Sequence, residues 1–244
     1  MRTVLERIEG TALRPATVLD VGAAYGDWAA ECAAVFPAAC YLLIEPLEEF
    51  TPFLREREAS LSDARHLRLA AARDDGEATI HVHADLVGSS VLDEQDRSLS
   101  GIDDRVVRAA TIDSIVAETG SAGPFLLKVD AQGAELDVLA GARGTLDDTL
   151  AVVLEVSFQA FFVGGPEVGE VVRAMAERGF VLYDVVEPLY RPLDGALAQA
   201  DAVFVPVLSP LRSDPRFVDA AGRARQDAEF REGFESRLRR ISRG

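Results

Sequence analysis

The chain has 244 residues, enough for one large domain, and its hydrophobic (48%) and charged (27%) fractions are ordinary for a globular protein. A formal net charge of −16 argues against nucleic acid as a partner, because phosphate binding requires a basic surface. Two cysteines exclude a disulfide scaffold. No apolar run approaches the ~20 residues of a membrane span, and the charged first ten residues are unlike a signal peptide. We therefore expect a cytoplasmic protein without a membrane partner.

The charge is unevenly distributed along the chain. From Ser209 to Gly244, nine Arg stand against six Asp plus Glu, a net of +3, so the remaining 208 residues carry −19. This segment is polar but contains Phe230, Phe234 and Leu238, and it predicts an amphipathic helix over 215–240 that packs on the domain or on a second subunit. We expect a domain at 1–208 and a charged helical tail at 209–244, which leaves a homo-oligomer open.

Apolar runs and helical patterns alternate along the first 208 residues. The apolar runs predict core strands over 18–22, 41–44, 67–72, 124–129 and 151–156, a half-exposed strand over 78–83, and a final pair over 180–186 and 202–207. Helices are predicted over 25–36, 47–59, 133–142 and 167–178. Alternating strands and helices predict an α/β fold, in which a mostly parallel sheet has helices on both faces.

A turn of small residues, Asp20-Val-Gly-Ala-Ala-Tyr-Gly26, follows the first predicted strand. Small residues at the carboxyl end of a parallel strand let backbone N–H groups approach a ligand, although any doubly wound protein needs a tight turn there. A dinucleotide-binding turn reads Gly-x-Gly-x-x-Gly. Here Ala24 occupies the second glycine position, and the Asp20 carboxylate would repel a diphosphate. The turn therefore favours a cationic ligand over a dinucleotide.

An acidic residue, Glu45, ends the second predicted strand. A carboxylate at this place can accept hydrogen bonds from both hydroxyls of a ribose. A ribose without a diphosphate, together with a cationic group near Asp20, indicates S-adenosylmethionine, whose sulfonium and ammonium are both cationic. A nicotinamide-dependent oxidoreductase would use the same turn and Glu45. It stays an alternative, disfavoured by Ala24 and Asp20.

The strongest signal follows the predicted strand at 124–129. Lys128 is the single lysine among 25 basic residues, and its burial on a central strand is costly unless a carboxylate pairs with it. Asp130 lies two residues on and shares its face of the strand. Glu135 falls in the first turn of the next helix, where a carboxylate favours the helix dipole. A purely structural Lys128–Asp130 pair is the alternative to a catalytic one.

Three stretches together resemble the FkbM family of methyltransferases. They are Asp20-Val-Gly-Ala-Ala-Tyr-Gly-Asp-Trp28, Leu43-Ile-Glu-Pro46 and, most specifically, Leu127-Lys-Val-Asp-Ala-Gln-Gly-Ala-Glu135. The resemblance extends from about Val18 to Val207. It implies a Rossmann-like class I methyltransferase fold with a mostly parallel seven-stranded sheet, and binding of S-adenosylmethionine. It also implies O-methylation of a small-molecule acceptor, typically a hydroxyl of a sugar or polyketide-type natural product, without identifying that acceptor.

The predicted site has a catalytic and a cofactor-binding part. For catalysis we expect Asp130 as general base or hydroxyl-binding group, Lys128 to orient it or to stabilise alkoxide charge, and Glu155 as a third candidate. The cofactor residues are expected to be Asp20, Gly22, Ala23, Tyr25, Gly26, Trp28, Glu45, Pro46, Ala72 and Asp130. No spacing identifies metal ligands, although Asp130, Glu135 and Glu155 could instead hold Mg²⁺ and chelate a substrate diol.

The acceptor pocket is expected in loop-like stretches of the chain. The residues that could shape it are Ser89, Ser90, Phe161, Phe162 and Tyr190. His81 and His83 share one face of a predicted strand and are alternative bases, although an exposed structural position is the simpler interpretation. A non-catalytic ligand-binding protein on the same fold is a further alternative, against which the clustering of Lys128, Asp130 and Glu135 argues.

Overall fold

The computed structural model describes residues 1–95 and 103–242. They form two compact units, Met1–Leu211 and the segment that begins at Arg212. The strands are β1 Thr17–Val21, β2 Cys40–Ile44, β3 Ala64–Leu67, β4 Ala70–Ala71, β5 Gly76–Val82, β6 Asp103–Ala110, β7 Phe125–Val129, β8 Thr149–Ser157, β9 Phe180–Tyr190 and β10 Leu197–Pro206. The helices are α1 Arg2–Gly10, α2 Asp27–Ala33, α3 Thr51–Ser60, α4 Ile112–Thr119, α5 Glu135–Ala140, α6 Arg143–Leu146, α7 Val168–Glu177 and α8 Ala220–Ile241.

A seven-stranded sheet forms the centre of the first unit, in the order β3-β2-β1-β7-β8-β10-β9. The five strands from β3 to β8 pair in parallel, whereas β10 is antiparallel to both β8 and β9. Parallel neighbours require crossover connections, which α2, α3 and the α5–α6 pair supply. The predicted α/β fold with a mostly parallel sheet is confirmed.

Each face of this sheet packs against its own hydrophobic core. On β1, Leu19 and Val21 face the core that contains residues of α4, α5 and α7. Val18 faces the opposite core, which contains residues of α1, α2 and α3. Successive side chains of a strand alternate between faces, so Asp20 lies on the α1–α3 side with Val18. Central strands covered on both faces are almost wholly apolar, which makes the charged residues on β1 and β7 conspicuous.

The prediction of one strand over 67–72 is wrong. β3 pairs with β2 in the main sheet, whereas β4 pairs with β6 in a separate three-stranded sheet of order β4-β6-β5. The apolar residues that suggested one strand are therefore shared between two sheets. β6 itself was not predicted, because one of its faces is exposed and carries Asp104 and Arg108 among its apolar residues. Helices α1, α4 and α6 were also not predicted.

The second unit contains α8, within the stretch where a helix was predicted. The Asp219 side chain caps its first turn by accepting from the Gly222 N–H at 2.7 Å. Phe230 and Phe234 stack with their ring centroids 6.1 Å apart. The surface on which this helix packs stays a prediction. No helix in the described part of the chain is long and apolar enough to cross a membrane.

Candidate active site

The turn after β1 and the loop after β7 touch at Gly22. The Asp130 N–H donates to the Val21 carbonyl at 3.0 Å, and a Cβ added at Gly22 would lie only 1.9 Å from the Asp130 carbonyl oxygen. Gly22 also has a left-handed φ of 74°. Glycine is therefore needed here both for space and for backbone conformation.

Glu45 holds the same turn from the end of β2. Its Oε2 accepts from the Ala24 N–H at 3.1 Å, and its Oε1 accepts from the Leu47 N–H at 2.9 Å. Burial raises the pKa of Glu45 to about 7, although the two N–H groups oppose this shift. The carboxyl group is 5% exposed. It is therefore part of the fold of the turn, and not only a side chain at an open cleft edge.

A narrow cleft lies along these turns at the carboxyl edge of the sheet. Its lining consists of Val21, Gly22, Ile44, Pro46, Leu69, Ala70, Ala71, Ile80, Ser90, Val91, Asp130, Ala131 and Ala134. Gly22, Pro46 and Asp130 are the predicted cofactor residues in this lining. Ala72, whose N–H donates to the Ala110 carbonyl at 2.9 Å, lies next to the lining residues Ala70 and Ala71, and its contact with a cofactor stays a prediction.

The aromatic residues of the first turn lie on its α2–α3 side. Tyr25 packs edge-on against Phe50 and Phe53, with ring centroids 5.0 Å apart in both pairs. Gly26 has a φ of 71° and directly precedes α2. The buried indole Nε1 of Trp28 has no hydrogen-bond partner among the described residues. Contact of Tyr25, Gly26 and Trp28 with a cofactor stays a prediction.

Lys128 is buried and paired with Asp130. Its Nζ lies 2.9 Å from Asp130 Oδ2, and the residue is 7% exposed. Lys128 is also the register partner of Asp20 on β1, so both side chains lie on the same face. Burial alone would lower the pKa of Lys128, but the charges of Asp130 and Asp20 outweigh it and raise the pKa. The ammonium therefore stays charged.

Asp20 is the most deeply buried carboxyl group near this pair. Neither of its oxygens has a hydrogen-bond partner within bonding distance among the described residues; the Ala29 N–H gives only a weaker stabilisation. Burial raises the pKa of Asp20 to about 6, against the opposing charge of Lys128. A buried carboxyl group without a close hydrogen bond is unusual in a folded protein.

Gln132 connects Asp130 with Glu155, and Gln199 also bonds to Glu155. Gln132 Nε2 donates to Asp130 Oδ1 at 2.8 Å and to Glu155 Oε2 at 2.9 Å. Gln199 Nε2 donates to the same Glu155 oxygen at 2.7 Å. Burial, reinforced by the charges of Asp130 and Glu135, raises the pKa of Glu155. The two carboxyl groups predicted for catalysis thus have different surroundings: Asp130 contacts the Lys128 ammonium, and burial favours the neutral form of Glu155.

Glu135 stabilises the loop that precedes it. Its Oε1 accepts from the Ala131 N–H at 3.1 Å and the Gly133 N–H at 3.0 Å. Within residues 1–95 and 103–242, no group of three His, Cys, Asp or Glu side chains is arranged to hold a metal ion. The suggested Mg²⁺ ligands Asp130, Glu135 and Glu155 therefore do not form a common ligand set, since Glu135 is turned into its own loop.

A second pocket lies beside Gln132 and has a volume of about 390 Å³. Its lining consists of Gln132, Phe161, Phe162, Leu189, Tyr190, Arg191, Pro192, Ala198 and Gln199. Three residues expected to shape an acceptor pocket, Phe161, Phe162 and Tyr190, are thus brought together. Gln132 and Gln199 were not predicted as site residues. The position of Gln132 inside the Lys128–Glu135 stretch was a usable signal, whereas no pattern in the sequence pointed to Gln199.

The two serines and two histidines considered earlier belong to the segment beside the first cleft. Ser90 Oγ donates to the Gln132 carbonyl at 2.7 Å, and Ser89 Oγ accepts from the His83 N–H at 3.0 Å. His83 Nδ1 lies 2.8 Å from an Asp85 oxygen. His81 Nδ1 lies 2.8 Å from Asp104 Oδ1. The imidazoles are thus engaged by neighbouring acids, outside the linings of the two pockets described above.

The strand order, the single antiparallel strand β10, the glycine turn after β1 and the acidic residue after β2 define a class I methyltransferase fold. A family model described as the methyltransferase FkbM domain matches residues 20–182, which is more than half of the chain. The chain belongs to this family and is a methyltransferase. The alternative of a nicotinamide-dependent oxidoreductase has no support from this family.

Solved methyltransferase structures have similar folds. The precorrin-6y C5,15-methyltransferase of Geobacter metallireducens GS-15 is 9% identical, with a TM-score of 0.46, over 84% of this chain and 86% of that chain. The ribosomal protein L11 methylase of Lactobacillus delbrueckii subsp. bulgaricus is 14% identical, with a TM-score of 0.47, over 84% and 78%. The 1,6-didemethyltoxoflavin-N1-methyltransferase of Burkholderia thailandensis is 14% identical, with a TM-score of 0.44, over 84% and 76%. No curated protein matches the chain.

Proposed function

We propose that this protein is an S-adenosylmethionine-dependent O-methyltransferase that acts on a hydroxyl of a small molecule, of the sugar or polyketide type. The position of Asp130 carries the proposal. Its carboxylate lines the cleft beside Gly22, and its Oδ1 is bonded to Gln132, which lines the second pocket. A group at the junction of two pockets can meet a cofactor from one side and an acceptor from the other.

The residues beside the first cleft fit a cationic nucleoside. Gly22 lines the cleft and leaves room for the Asp130 backbone, which a side chain there would strike. Asp20 is a buried carboxyl group without a close hydrogen bond, and Glu45 is a second buried carboxyl group one strand away. Opposite charge nearby would offset the burial of these acids. In this proposal Glu45 accepts from the ribose hydroxyls, and the acidic surroundings favour the sulfonium and ammonium groups.

The chain's own residues supply a base for the acceptor hydroxyl. Bound S-adenosylmethionine supplies the electrophilic methyl group, and an alcohol must lose its proton as its oxygen attacks the methyl carbon. Asp130 takes that proton. Lys128 orients the Asp130 carboxylate through its 2.9 Å contact, and Gln132 fixes the other oxygen. Positioning by these contacts contributes to the rate because the displacement is in-line.

Calorimetric titration of the full chain with S-adenosylhomocysteine, S-adenosylmethionine and NAD tests the cofactor part of the proposal. We expect both adenosyl compounds to bind and NAD to give no response. Tight binding of NAD, with no response to S-adenosylhomocysteine, would overturn the proposal. Methyl transfer to a hydroxyl is then tested by product analysis with an acceptor that binds in the second pocket. A product methylated on carbon or nitrogen would reject the O-methylation part.

A further inference from the structure

The second pocket presents apolar side chains to solvent. Leu189 is 56% exposed and Tyr190 is 57% exposed, and both belong to its lining together with Pro192 and Ala198. Large apolar side chains that are open on one side and gathered around a concave surface are typical of small-molecule sites. The pocket therefore offers an apolar surface to the nonpolar part of a ligand.

The floor of this pocket is fixed by close packing of Phe162. A Cβ added at Gly133 would lie 2.9 Å from the Phe162 ring, and one added at Gly165 would lie 3.0 Å from the Phe162 Cβ. The neighbouring Phe161 carbonyl accepts from the Gln95 N–H at 2.8 Å. Because Phe162 packs directly against the backbone on both sides, its ring has a fixed position in the pocket lining.

The polar end of the pocket is set by the two glutamines. Gln132 gives both hydrogens of its amide to carboxyl groups, one to Asp130 and one to Glu155. Gln199 gives one amide hydrogen to Glu155. Since their N–H groups are directed at the carboxyl groups, the amide oxygens are the groups that can accept from a ligand. Hydroxyl groups, which donate as well as accept, match this arrangement.

The charges near the pocket disfavour an anionic ligand. The charge of Asp130 helps to raise the pKa of both Glu155 and Asp201, and the charge of Asp201 helps to raise that of Glu155. Arg191 is the cation in the lining, and its guanidinium is engaged by Gln159 and by Asp194 at 3.6 Å. A phosphate placed here would meet the acidic side chains of Asp130 and Asp201, and the arginine in the lining already has an acidic partner.

We propose that the second pocket binds the methyl acceptor as an uncharged ring compound, whose apolar face lies against Tyr190 and Phe162 and whose hydroxyl donates to the amide oxygen of Gln199 or Gln132 before Asp130 takes its proton. This inference rests on the proposed function. It assigns Gln132, Gln199 and Tyr190 to acceptor positioning. Two sources share this chemistry, a sugar that carries an apolar aglycone and a fused-ring alcohol without a sugar.

Calorimetric titrations of the full chain with four probes test this assignment, each with and without S-adenosylhomocysteine. The probes are phenyl β-glucoside, 2-naphthol, methyl β-glucoside and uridine diphosphate glucose. We expect phenyl β-glucoside or 2-naphthol to bind at least about tenfold more tightly than the other two. Preference for phenyl β-glucoside would indicate the sugar source, and preference for 2-naphthol the fused-ring source. If the nucleotide sugar binds as tightly as these probes, or if neither of them binds, the inference is overturned.

Three variants locate the binding. Tyr190→Ala and Gln199→Leu should each weaken binding of the preferred probe by about tenfold, without changing affinity for S-adenosylhomocysteine. Leu193→Ala is the control, because Leu193 is 79% exposed in the turn between β9 and β10, outside the pocket lining. The side chain of Tyr190 is exposed, so its removal should not unfold the protein. Unchanged probe binding by Tyr190→Ala would therefore reject the second pocket as the binding site. Failure to bind S-adenosylhomocysteine would instead count against the proposed function.

Discussion

Replacing Gly22 by alanine tests the contact between the turn after β1 and the loop after β7. The new Cβ would lie 1.9 Å from the Asp130 carbonyl oxygen, and real Cβ contacts are essentially never below 3.0 Å, so the two segments must separate by about 1 Å. The left-handed φ adds ~1–2 kcal/mol for a residue with a Cβ. Loss of the Asp130 N–H to Val21 carbonyl bond adds ~1–3 kcal/mol. We expect a total loss of ~2–5 kcal/mol, which lowers Tm by about 5–15 °C.

Gly179→Ala is the matched control for this variant. Gly179 has a similar φ of 82°, but no described atom lies within 4 Å of an added Cβ, so only the conformational cost of ~1–2 kcal/mol applies. Thermal unfolding followed by circular dichroism measures both variants, and calorimetry measures their affinity for S-adenosylhomocysteine. Gly22→Ala should lose at least about tenfold in affinity, and Gly179→Ala should lose none. If the two variants lose equal stability and Gly22→Ala binds S-adenosylhomocysteine normally, the argument from the close approach of Asp130 to Gly22 is refuted.

Three further predictions concern carboxyl groups. Asp130→Asn should reduce turnover by about 10²–10⁴-fold and leave cofactor affinity nearly unchanged. The control is Asp137→Asn, which should change neither quantity because Asp137 belongs to an exposed pair with Arg73. Normal turnover of the Asp130→Asn variant would eliminate Asp130 as the base. Glu45→Ala should weaken S-adenosylhomocysteine binding by ~1.5–3 kcal/mol, because the ribose hydroxyls lose an acceptor. It should also lower Tm, because the Glu45 carboxyl group accepts from two backbone N–H groups. Unchanged affinity would reject the ribose role of Glu45. Burial raises the pKa of Glu135 from 4.5 to about 7, so its contribution to stability is full below pH 4.5 and is lost as the pH rises through 7. Urea unfolding of Glu135→Gln should therefore show a flatter loss of stability between about pH 5 and 7.5 than wild type, and identical slopes would contradict this.

Much of the central sheet could be predicted because its strands are buried on both faces. β1, β2, β7 and β8 are nearly continuous apolar runs for that reason, and each was placed within two residues. Strands covered on one side are found by alternation instead, which predicted β5. β6 was missed because its exposed face mixes charged and apolar residues, and β3 and β4 are too short to separate from each other by pattern.

The sequence by itself determined the family and the buried strands of the main sheet. It also determined the Lys128–Asp130 pair, because residues two apart in an extended segment share a face. At Gly22 it indicated a tight turn, but not the close approach of Asp130. Only the tertiary structure decided that Glu45 is buried and bonded to Ala24, so removing it should cost stability as well as affinity. Likewise, only the pairing of β8 with β10 brings Gln199 to Glu155. Hydrogen bonds depend on distances of about 3 Å in space, and residues far apart in a chain reach such distances only once the sheet has formed.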